Sequence, residues 1–339
     1  MIFSDEEKQY YSRQNLLPEV SIEKQWQLKQ SSVLVVGAGG LGATVLQILA
    51  RAGVGKIGVV DFDTIDITNI HRQILYTYAD VGKYKVDVAV ENLKHINPFI
   101  HIEPYQLKIS NTNIVELISN YDIVVDATDN FNAKYLINDA CVLYNKILVF
   151  AAVQQHVGQV AVFNFNGSCN YRDVFPEIPM QLNNCNTIGV LNTAVNVIGT
   201  LQANEVLKVI LELDNILCNK LLIYDVLNNT QQLLRIKKQY LFSFKDLEHH
   251  NKDISEIDVD DLAQLNPLEY YLIDVRSAYE HQQENIGGLN FPLGILEDKL
   301  QELDKNKQII FYCNTNVRSK TAAKVARKIG FENVIILSR

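Results

Sequence analysis

The first two-thirds of the chain alternates short apolar runs with longer stretches in which apolar residues recur at helical spacing. The short runs predict buried strands over Val33–Val36, Ile57–Val60, Ile123–Val125 and Ile147–Phe150. The longer stretches predict helices over Leu41–Ala52, Lys83–Ile96 and Leu191–Leu211. Because strands that alternate with helices form a mainly parallel sheet with helices on both faces, we expect an α/β fold.

The pattern changes towards the end of this region. Gln159–Phe165 predicts a strand at the edge of the sheet, and Asn166–Asn186, which has no clear period, predicts a loop. Charged residues and histidines then predict a linker, and a second βα series beyond it predicts a smaller α/β domain. The resulting division is a first domain over residues 1–238, a linker over 239–255 and a second domain over 256–339.

Composition narrows the class of protein. The 339 residues include 31 Lys and Arg against 39 Asp and Glu, and the net charge of −8 argues against a protein that grips nucleic acid phosphates. No apolar run reaches the roughly 18 residues of a membrane span, and the acidic N-terminus is unlike a signal peptide. The 5 cysteines form no C-x-x-C pair, which favours reduced thiols. We therefore expect a cytoplasmic protein with no membrane or nucleic acid partner.

A glycine-rich turn lies between the first predicted strand and helix. The pattern G-x-G-x-x-G, with one further glycine inside it, covers Gly37, Gly39, Gly40 and Gly42. Such a turn lets the backbone approach a phosphate, and the helix N-terminus supplies aligned N–H donors. Asp61, with Asp63 close by, ends the second strand, where a Rossmann-like sheet places a ribose-binding carboxylate. The glycine turn and Asp61 therefore predict a nucleotide-binding site. One alternative is that the glycines serve only helix–strand packing. Another is that the nucleotide is NAD or FAD and the protein is an oxidoreductase.

Charged residues after the second strand favour a triphosphate over a redox cofactor. The following turn carries Asn69 and Arg72, the next helix opens with Lys85, and a later strand is succeeded by Asp129 and Asn130. Arginine can bind phosphate oxygens bidentately, lysine acts as a point charge, and a carboxylate can hold Mg²⁺. Singly, each residue could be solvated surface, and Asp129 could cap a helix. Together they predict a site for ATP and Mg²⁺.

These residues recur within a larger set of motifs. In chain order the sequence contains Tyr11-Ser-Arg13-Gln14, the glycine turn, Asp61-Phe-Asp63, Asn69-x-x-Arg72-Gln73, Val81-Gly-Lys83-x-Lys85, Asp126-Ala-Thr-Asp129-Asn130 and Gly199-Thr-Leu-Gln202-Ala. Over residues 5–235 the chain thereby resembles the ThiF/MoeB/HesA family of adenylyltransferases, which are bacterial relatives of the ubiquitin-activating enzymes.

The resemblance implies an activity and a set of partners. Members of the family are homodimers that use ATP and Mg²⁺ to adenylylate the C-terminal glycine of a ubiquitin-like sulfur carrier protein. By position, Arg13 would reach into the site of the partner subunit. The other implied roles are nucleotide contacts for Gly39 and Gly40, ribose binding for Asp61, phosphate binding for Arg72 and Lys85, and Mg²⁺ binding for Asp129.

The resemblance also bears on the cysteines. Many relatives hold a structural zinc ion with two C-x-x-C pairs, but the equivalent positions here, Asn170–Asp173 and the region near Leu234, lack them, and Cys169 has no partner. Because zinc needs four N or S ligands, we predict that none is bound. Cys185 lies where some relatives link covalently to the carrier, and a packing role is the alternative. Packing roles are predicted for Cys141 and Cys218.

A second candidate site lies in the C-terminal region. Cys313 follows a predicted buried strand and opens a helix, so that backbone N–H groups and Arg318 would stabilise its thiolate. With Asp274-Val-Arg276, this segment resembles the sulfur-transferring loop of a rhodanese domain, and Cys313 would carry the persulfide. An inert cysteine in a degenerate domain is the alternative. The loop comprises Cys313, Asn314, Thr315, Asn316, Val317 and Arg318.

The fusion of the two domains implies two consecutive steps. It most resembles the molybdopterin-synthase adenylyltransferases: a MoaD-like carrier is adenylylated, and sulfur from a donor such as a cysteine desulfurase then converts it to a thiocarboxylate for molybdenum cofactor biosynthesis. The same chemistry on a ThiS-like carrier for thiamine, or a non-catalytic scaffold for a ubiquitin-like protein, is the alternative. Because rhodanese domains continue past their last strand, we expect this one to be truncated or incomplete.

Overall fold

The computed structural model describes residues 3–176, 189–239, 255–314 and 317–337. The chain divides into two units, Met1–Leu247 and Glu248–Arg339. The predicted linker over residues 239–255 falls almost entirely outside the described ranges, so its extent stays a prediction. Within those ranges, no helix combines the length and the apolar character that crossing a membrane requires.

The described residues of the N-terminal unit form one eight-stranded sheet. Its strands are β1 (Ser32–Val36), β2 (Lys56–Val60), β3 (His101–Tyr105), β4 (Ile123–Asp126), β5 (Ile147–Gln154), β6 (Val157–Phe163), β7 (Lys220–Asp225) and β8 (Thr230–Arg235). Their spatial order is β3-β2-β1-β4-β5-β6-β7-β8. Pairs from β3 to β5 are parallel and pairs from β5 to β8 are antiparallel.

The prediction of an edge strand over Gln159–Phe165 is wrong. The strand observed there, β6, pairs with β5 on one side and with β7 on the other, so it lies inside the sheet. The edge belongs to β8, every residue of which is exposed. A strand without a buried face has no apolar alternation, and the sequence pattern therefore did not reveal it.

Helices cover both faces of this sheet, which confirms the predicted α/β class. They are α1 (Asp5–Tyr10), α2 (Ile22–Gln30), α3 (Gly40–Ala52), α4 (Lys85–Ile96), α5 (Ile114–Ser119), α6 (Phe131–Leu143) and α7 (Asn192–Ile210). Successive residues of β1 point to opposite faces. Val33 and Val35 join the core that contains α3, α4 and α7, whereas Leu34 and Val36 join the core that contains α5 and α6.

The C-terminal unit is the predicted smaller α/β structure. Its strands are β9 (Ser255–Ile257), β10 (Tyr270–Asp274), β11 (Leu289–Asn290), β12 (Gln308–Tyr312) and β13 (Val334–Leu337), in the spatial order β11-β10-β12-β13-β9. All pairs are parallel. Its described helices are α8 (Val259–Ala263), α9 (Ala278–Gln283), α10 (Leu296–Gln301) and α11 (Val317–Lys328). The central strand β12 is buried and leads directly to Cys313.

Candidate functional site

The turn between β1 and α3 depends on two glycines. Gly37 has a φ of +98°, in the left-handed region, and a Cβ added to it would lie 2.7 Å from the carbonyl oxygen of Ala127. A Cβ on Gly42 would lie 1.8 Å from the carbonyl oxygen of Gly37. The glycines therefore bring the turn against the loop that follows β4.

Strand order places this turn at a crevice. In the sheet, Val36 at the end of β1 is in register with Val60 of β2 and with Asp126 of β4. The helices that follow β1 and β4 pack on opposite faces, and in such sheets ligands bind where the connections diverge, at the carboxyl ends of the strands. Gly39 is the N-cap of α3 and Gly40 its first residue, so unpaired helix N–H groups lie at this crevice.

Asp61 fixes the shape of the glycine turn. One of its carboxylate oxygens accepts the N–H of Ala38 at 2.7 Å, and the other accepts the N–H of Asp63 at 2.9 Å. The hydroxyl of the buried Tyr76 donates to the carbonyl oxygen of Ala38 at 2.7 Å, so the peptide groups on both sides of Ala38 are held. Each Asp61 oxygen retains a further lone pair with which it could accept a ribose hydroxyl.

Lys85 joins the same network. It is the first residue of α4, as predicted, and its side chain is buried except for 7% of its surface. Its Nζ lies 2.8 Å from Oδ2 of Asp63, whose N–H in turn binds Asp61. The lysine is thereby connected to the glycine turn through two carboxylates.

Arg72 lies on the other side of the turn. Its Cγ would be 3.9 Å from a Cβ placed on Gly40, and its Nη1 donates to the carbonyl oxygen of Thr68 at 2.7 Å. Asn69 supports this position because its carbonyl oxygen accepts the N–H groups of Arg72 and Gln73 at 3.1 Å and 3.0 Å. The aliphatic part of Arg72 thus lies against the start of α3, the helix N-terminus that the sequence predicts as a phosphate site, while its guanidinium is held by Thr68 and His71.

The loop after β4 shows which residue caps α6 and which carboxylate is available to a metal ion, a question that the sequence left open. Asn130, and not Asp129, caps α6, because its Oδ1 accepts the N–H of Ala133 at 2.9 Å. Asp126 is buried, and its oxygens are bound by Thr128 and Lys134. Asp129 is exposed, and its carboxylate accepts no hydrogen bond from any part of the chain that the structure describes.

These contacts bear on whether the site fits Mg²⁺. No cluster of three or more His, Cys, Asp or Glu residues suited to a metal occurs within residues 3–176, 189–239, 255–314 and 317–337. Mg²⁺ is usually bound by one or two carboxylates together with substrate phosphates and waters. Asp129 is a carboxylate available for that purpose beside the glycine turn, so the residues fit a metal ion held largely by a nucleotide.

Sequence reasoning assigned no role to Gln73, which lies against the turn. Its Nε2 would be 3.7 Å from a Cβ on Gly39, and the side chain is 4% exposed. Its Oε1 is buried without a hydrogen-bond partner among the described residues. A buried acceptor without a partner is costly unless a ligand supplies the donor. The only signal in the sequence is its position directly after Arg72 in a motif.

Two further residues hold the β4 loop: Lys134, which sequence reasoning did not name, and Gln202, which it named only within a motif. Lys134 donates to Oδ2 of Asp126 and to the carbonyl oxygen of Ala151, both at 3.1 Å. Gln202 of α7 donates to the carbonyl oxygens of Asp126 at 2.8 Å and Val149 at 3.0 Å. The partners of Gln202 are 53 and 76 residues away, so no local pattern could have identified its function, whereas Lys134 is 8 residues from Asp126.

The structure does not bring Arg13 to the glycine turn of its own chain. Arg13 is exposed, and the neighbouring Gln14 donates to the carbonyl oxygen of Ala52 at 3.2 Å. Ala52 is the last residue of α3, and this helix of 13 residues has the turn at its other end. At a rise of about 1.5 Å per residue, roughly 20 Å separates the two ends.

Asp173, in the segment where the resemblance would place the first pair of zinc cysteines, is held by hydrogen bonds. Oδ2 of Asp173 accepts the N–H of Asn170 at 2.8 Å, and its Oδ1 accepts the N–H of Gln239 at 2.6 Å. The carboxylate thus connects the segment before residue 177 with the chain that follows β8. The absence of zinc stays a prediction, and stoichiometric zinc in the purified protein would contradict it.

The cysteines of the N-terminal unit lie in different surroundings. Cys141 and Cys169 are fully buried, and burial raises the pKa of the Cys169 thiol to about 11 and also raises the pKa of Cys141. Cys218 is half-buried. Cys185 lies outside the described residues, so its role stays a prediction.

In the C-terminal unit, Cys313 lies at the N-terminal end of α11. It is fully buried, and the N–H of Ser319 points to its Sγ at 3.4 Å. Both terminal nitrogens of Arg318 donate to Glu280, each at 2.8 Å. Of the predicted persulfide loop, Thr315 and Asn316 lie outside the described residues.

A buried ion pair supports this loop. Asp274, at the end of β10, accepts hydrogen bonds from Arg276 and lies 2.9 Å from Nδ1 of His281. Burial raises the pKa of Asp274, but the hydrogen bonds from Arg276 and His281 outweigh it and hold the pKa below its usual value. Nη1 of Arg276 donates to Oδ1 of Asn314 at 2.8 Å, which fixes the residue after Cys313.

The fold and the two sites define a class of enzyme in which a nucleotide-binding α/β unit is joined to a second unit with a cysteine at a helix N-terminus. The ThiF family model matches residues 11–241, and the rhodanese-like domain model matches residues 258–339. The chain belongs to the ThiF family and carries a rhodanese-like domain. The resemblance predicted from the motifs is confirmed.

Two relatives align with nearly the whole chain, and a third aligns with about two-thirds of it. A probable molybdopterin-synthase adenylyltransferase of Porphyra purpurea is 37% identical over 97% of this chain and 91% of its own length. A probable adenylyltransferase/sulfurtransferase MoeZ of Mycobacterium tuberculosis is 34% identical over 98% of this chain and 92% of its own length. A sulfur carrier protein adenylyltransferase of Thermus thermophilus is 44% identical over 70% of this chain and 90% of its own length.

Solved structures have a fold similar to that of about 70% of this chain. E. coli MccB with ATP has a TM-score of 0.62 and 25% identity, over 71% of this chain and 74% of that chain. E. coli MccB with AMPCPP and MccA has a TM-score of 0.62 and 26% identity, over 70% of this chain and 74% of that chain. The prediction of an enzyme with adenylyltransferase and sulfurtransferase domains is confirmed by the family matches and the relatives.

Proposed function

We propose that the N-terminal unit adenylylates the C-terminal glycine of a ubiquitin-like sulfur carrier protein and that the C-terminal unit then supplies sulfur through Cys313. The observation that carries the first step is the convergence of Arg72, Lys85 and the Asp129 loop on the glycine turn. Two cations and an available carboxylate beside a helix N-terminus suit a triphosphate and its metal ion. A hydride-transfer site has no need of such charge.

In this proposal each residue of the crevice binds a different part of the nucleotide or stabilises charge during the reaction. The N–H groups at Gly39 and Gly40 receive a phosphate, and Asp61 accepts a ribose hydroxyl. Arg72 and Lys85 neutralise the charge that develops as the carrier carboxylate attacks the α-phosphorus. The bond to the β-phosphate oxygen breaks, and pyrophosphate leaves with the electron pair. No protein base is needed because the attacking carboxylate is already ionised at neutral pH.

Asp129 is the proposed ligand of Mg²⁺, with Asn130 fixing the helix behind it. When bound, Mg²⁺ would offset the negative charge of the phosphates. Since Arg13 lies far from the glycine turn of its own chain, we propose that the active form is a homodimer in which Arg13 completes the site of the partner subunit. The similarity to MccB solved with ATP supports ATP as the nucleotide.

The second step replaces AMP with sulfur. A donor such as a cysteine desulfurase loads Cys313 with a sulfane sulfur, and the terminal sulfur of this persulfide attacks the acyl carbon of the carrier adenylate. The bond from carbon to the AMP oxygen breaks, AMP leaves, and an acyl disulfide with Cys313 remains. A reducing thiol then cleaves its S–S bond and releases the carrier thiocarboxylate.

The layout supports a MoaD-like carrier and molybdenum cofactor biosynthesis, because a relative that aligns with most of this chain is named a probable molybdopterin-synthase adenylyltransferase. A ThiS-like carrier and thiamine biosynthesis is the second candidate, since the Thermus relative is named only for a sulfur carrier. The composition and the lack of C-x-x-C pairs favour a cytoplasmic setting.

Mass spectrometry of the carrier tests the proposal. The full chain is incubated with a MoaD-like or a ThiS-like carrier, MgATP, a persulfide donor and dithiothreitol. We expect one carrier to gain the mass of an adenylyl group, AMP less one water, when the donor and dithiothreitol are omitted, and to exchange one oxygen for sulfur when both are present. Failure to modify either carrier would contradict the proposal.

A matched variant separates the two steps. Cys313→Ser should form the carrier adenylate at the wild-type rate but no thiocarboxylate. Full thiocarboxylate formation by this variant would show that Cys313 is not the relay. Bound flavin, or NAD retained in place of ATP, would instead favour the oxidoreductase alternative.

A further inference from the structure

The turn that carries Arg13 has a fixed backbone. It runs from Tyr11 to Asn15, and the N–H of Asn15 donates to the carbonyl oxygen of Tyr11 at 3.0 Å. Tyr11 is 4% exposed, whereas Arg13 is exposed and its side chain binds no part of the chain that the structure describes. The turn is therefore held by its own subunit and leaves its arginine accessible to another one.

A single buried amide anchors the first end of this turn. Asn97, which follows α4 and is fully buried, donates from Nδ2 to the hydroxyl of Tyr11 at 2.8 Å and to the carbonyl oxygen of Ala50 at 2.7 Å. Its Oδ1 accepts the N–H of Phe99 at 3.0 Å. The ring of Tyr11 packs against Gly53, where an added Cβ would lie 2.7 Å from it. Asn97 thereby joins Tyr11 to the C-terminal end of α3.

Gln14 anchors the other end of the turn on the same helix. Its Nε2 donates to the carbonyl oxygen of Ala52 at 3.2 Å, and this oxygen also accepts Nε2 of the buried Gln25 at 2.9 Å. The last carbonyl groups of a helix have no partner within it. In α3 they are bound by side-chain amides, and two of these amides determine where Arg13 lies relative to the helix end.

The chemistry of an asparagine suits the position of Asn97. Its side chain has two N–H donors and an acceptor oxygen, and all three are used. An aspartate would place a second acceptor against the Ala50 carbonyl, and an alanine would leave this carbonyl and the Tyr11 hydroxyl without their donor. Because buried polar groups are costly to leave unpaired, loss of the amide should let the Tyr11 end of the turn shift.

We propose that Asn97 is a positioning residue for the active site of the partner subunit. It acts through Tyr11, by holding the turn that presents Arg13. The inference rests on the proposed homodimer, in which Arg13 completes the site of the other subunit. The site of its own chain is distant, because Lys85 begins α4 and Asn97 follows its last residue. At about 1.5 Å per residue, roughly 18 Å separates the two ends of this helix.

Mixed dimers test the assignment, because they separate an effect within a subunit from an effect on its partner. Two variants are co-expressed with different affinity tags, and purification through both tags retains only the mixed dimers. Carrier-dependent ATP–pyrophosphate exchange is then measured. The Asn97→Ala homodimer should be slower than the wild type by about tenfold or more, because a displacement of about 1 Å at a catalytic group can cost that much.

Asn97→Ala should respond in opposite ways to two partner variants. In the mixed dimer with Asp129→Ala, the Asn97→Ala subunit keeps its own Asp129 and receives Arg13 from a subunit with an intact anchor. Exchange should return to about half of the wild-type rate, since one site of two is complete. In the mixed dimer with Arg13→Ala, neither site receives a well-placed arginine. Exchange should then stay at or below the rate of the Asn97→Ala homodimer.

Asn164→Ala is the matched control for a loss of stability. The Asn164 amide also donates to two carbonyl oxygens, those of Cys141 at 2.9 Å and Lys146 at 2.8 Å, but these belong to the connection between α6 and β5. Where urea denaturation shows it to be folded, this variant should keep the wild-type exchange rate. If Asn97→Ala does not fold, Tyr11→Phe takes its place, because it removes only the hydroxyl that Asn97 binds.

The remaining pair of variants distinguishes this inference from the function on which it rests. Mixed dimers of Arg13→Ala with Asp129→Ala contain no change at Asn97 and should reach about half of the wild-type rate. Failure of that pair would reject the proposed homodimer site, and this inference with it. If that pair recovers, three results would overturn the inference alone: wild-type exchange in the anchor variant, its recovery with Arg13→Ala, or its recovery with neither partner.

Discussion

Three aspartates around the glycine turn show how surroundings assign different roles to one residue type. Asp61 is nearly buried and binds the backbone N–H groups of Ala38 and Asp63, so it shapes the turn. Asp126 is fully buried and paired with Lys134, so it holds the loop after β4. Asp129 is exposed and accepts no hydrogen bond from the described part of the chain, which leaves it available to a metal ion.

Replacing Asp129 should therefore affect catalysis and not the fold. We expect Asp129→Ala to lower carrier-dependent ATP–pyrophosphate exchange by about 100-fold or more, because it removes a group that stabilises charge on the phosphates. The helix behind it keeps its cap, since that role belongs to Asn130. Asp214→Ala, which removes another exposed carboxylate, is the matched control. Near-normal exchange in Asp129→Ala would remove the assignment.

At the scale of elements, the connection between β4 and α6 is held by a buried ion pair. Nζ of Lys134, in the first turns of α6, lies 3.1 Å from Oδ2 of Asp126 at the end of β4, and both side chains are nearly inaccessible. Gln202 of α7 binds the Asp126 carbonyl oxygen from the other side. These contacts fix the loop that carries Asp129, so the position of the proposed metal ligand depends on them.

Removing the lysine should be costly. We expect Lys134→Met to destabilise the N-terminal unit by about 3–5 kcal/mol, because it leaves the Asp126 carboxylate buried without its cation. The measurement is the free energy of unfolding from urea denaturation. Lys94→Met, on an exposed position of α4, should change it by less than about 0.5 kcal/mol. A similar small change in both variants would show that the pair contributes little.

The parts of the molecule that the sequence predicted are those determined locally. The strand, glycine turn and helix from Val33 to Ala52 follow from a short buried run, a glycine spacing and apolar periodicity. The strand β8 was not predictable because it has no buried face, and the interior position of β6 depends on pairing with β7, which lies far along the chain. The role of Gln202 was missed because its partners lie 53 and 76 residues away. Lys134 is only 8 residues from Asp126, but no local pattern shows that these two charged side chains are buried together.

At the scale of the whole molecule, the chain carries two units with separate candidate sites. The first would activate a carboxylate with ATP, and the second would supply sulfur from Cys313. Among the described residues, Arg13 is a proposed catalytic residue that lies away from both sites of its own chain, at the far end of α3 from the glycine turn. Its position makes a dimer a requirement of the proposed first step.

Subunit mixing tests this requirement. Arg13→Ala and Asp129→Ala should each be inactive in pyrophosphate exchange when alone. After the two are unfolded and refolded together, half of the dimers should be mixed, and each mixed dimer has one site with Asp129 from one subunit and Arg13 from the other. Exchange should recover to about a quarter of the wild-type rate. No recovery would show that Arg13 acts within its own chain, and full activity of Arg13→Ala alone would show that Arg13 has no role.

The central claim is that the crevice between the glycine turn and the Asp129 loop binds the triphosphate of ATP. Crystals grown with Mg²⁺ and a non-hydrolysable ATP analogue test it most directly. The account predicts phosphates within hydrogen-bond distance of Arg72, Lys85 and the α3 N-terminus, with Asp129 facing the metal ion. A nicotinamide or flavin retained in that crevice, or Arg72, Lys85 and Asp129 pointing away from the bound nucleotide, would contradict it.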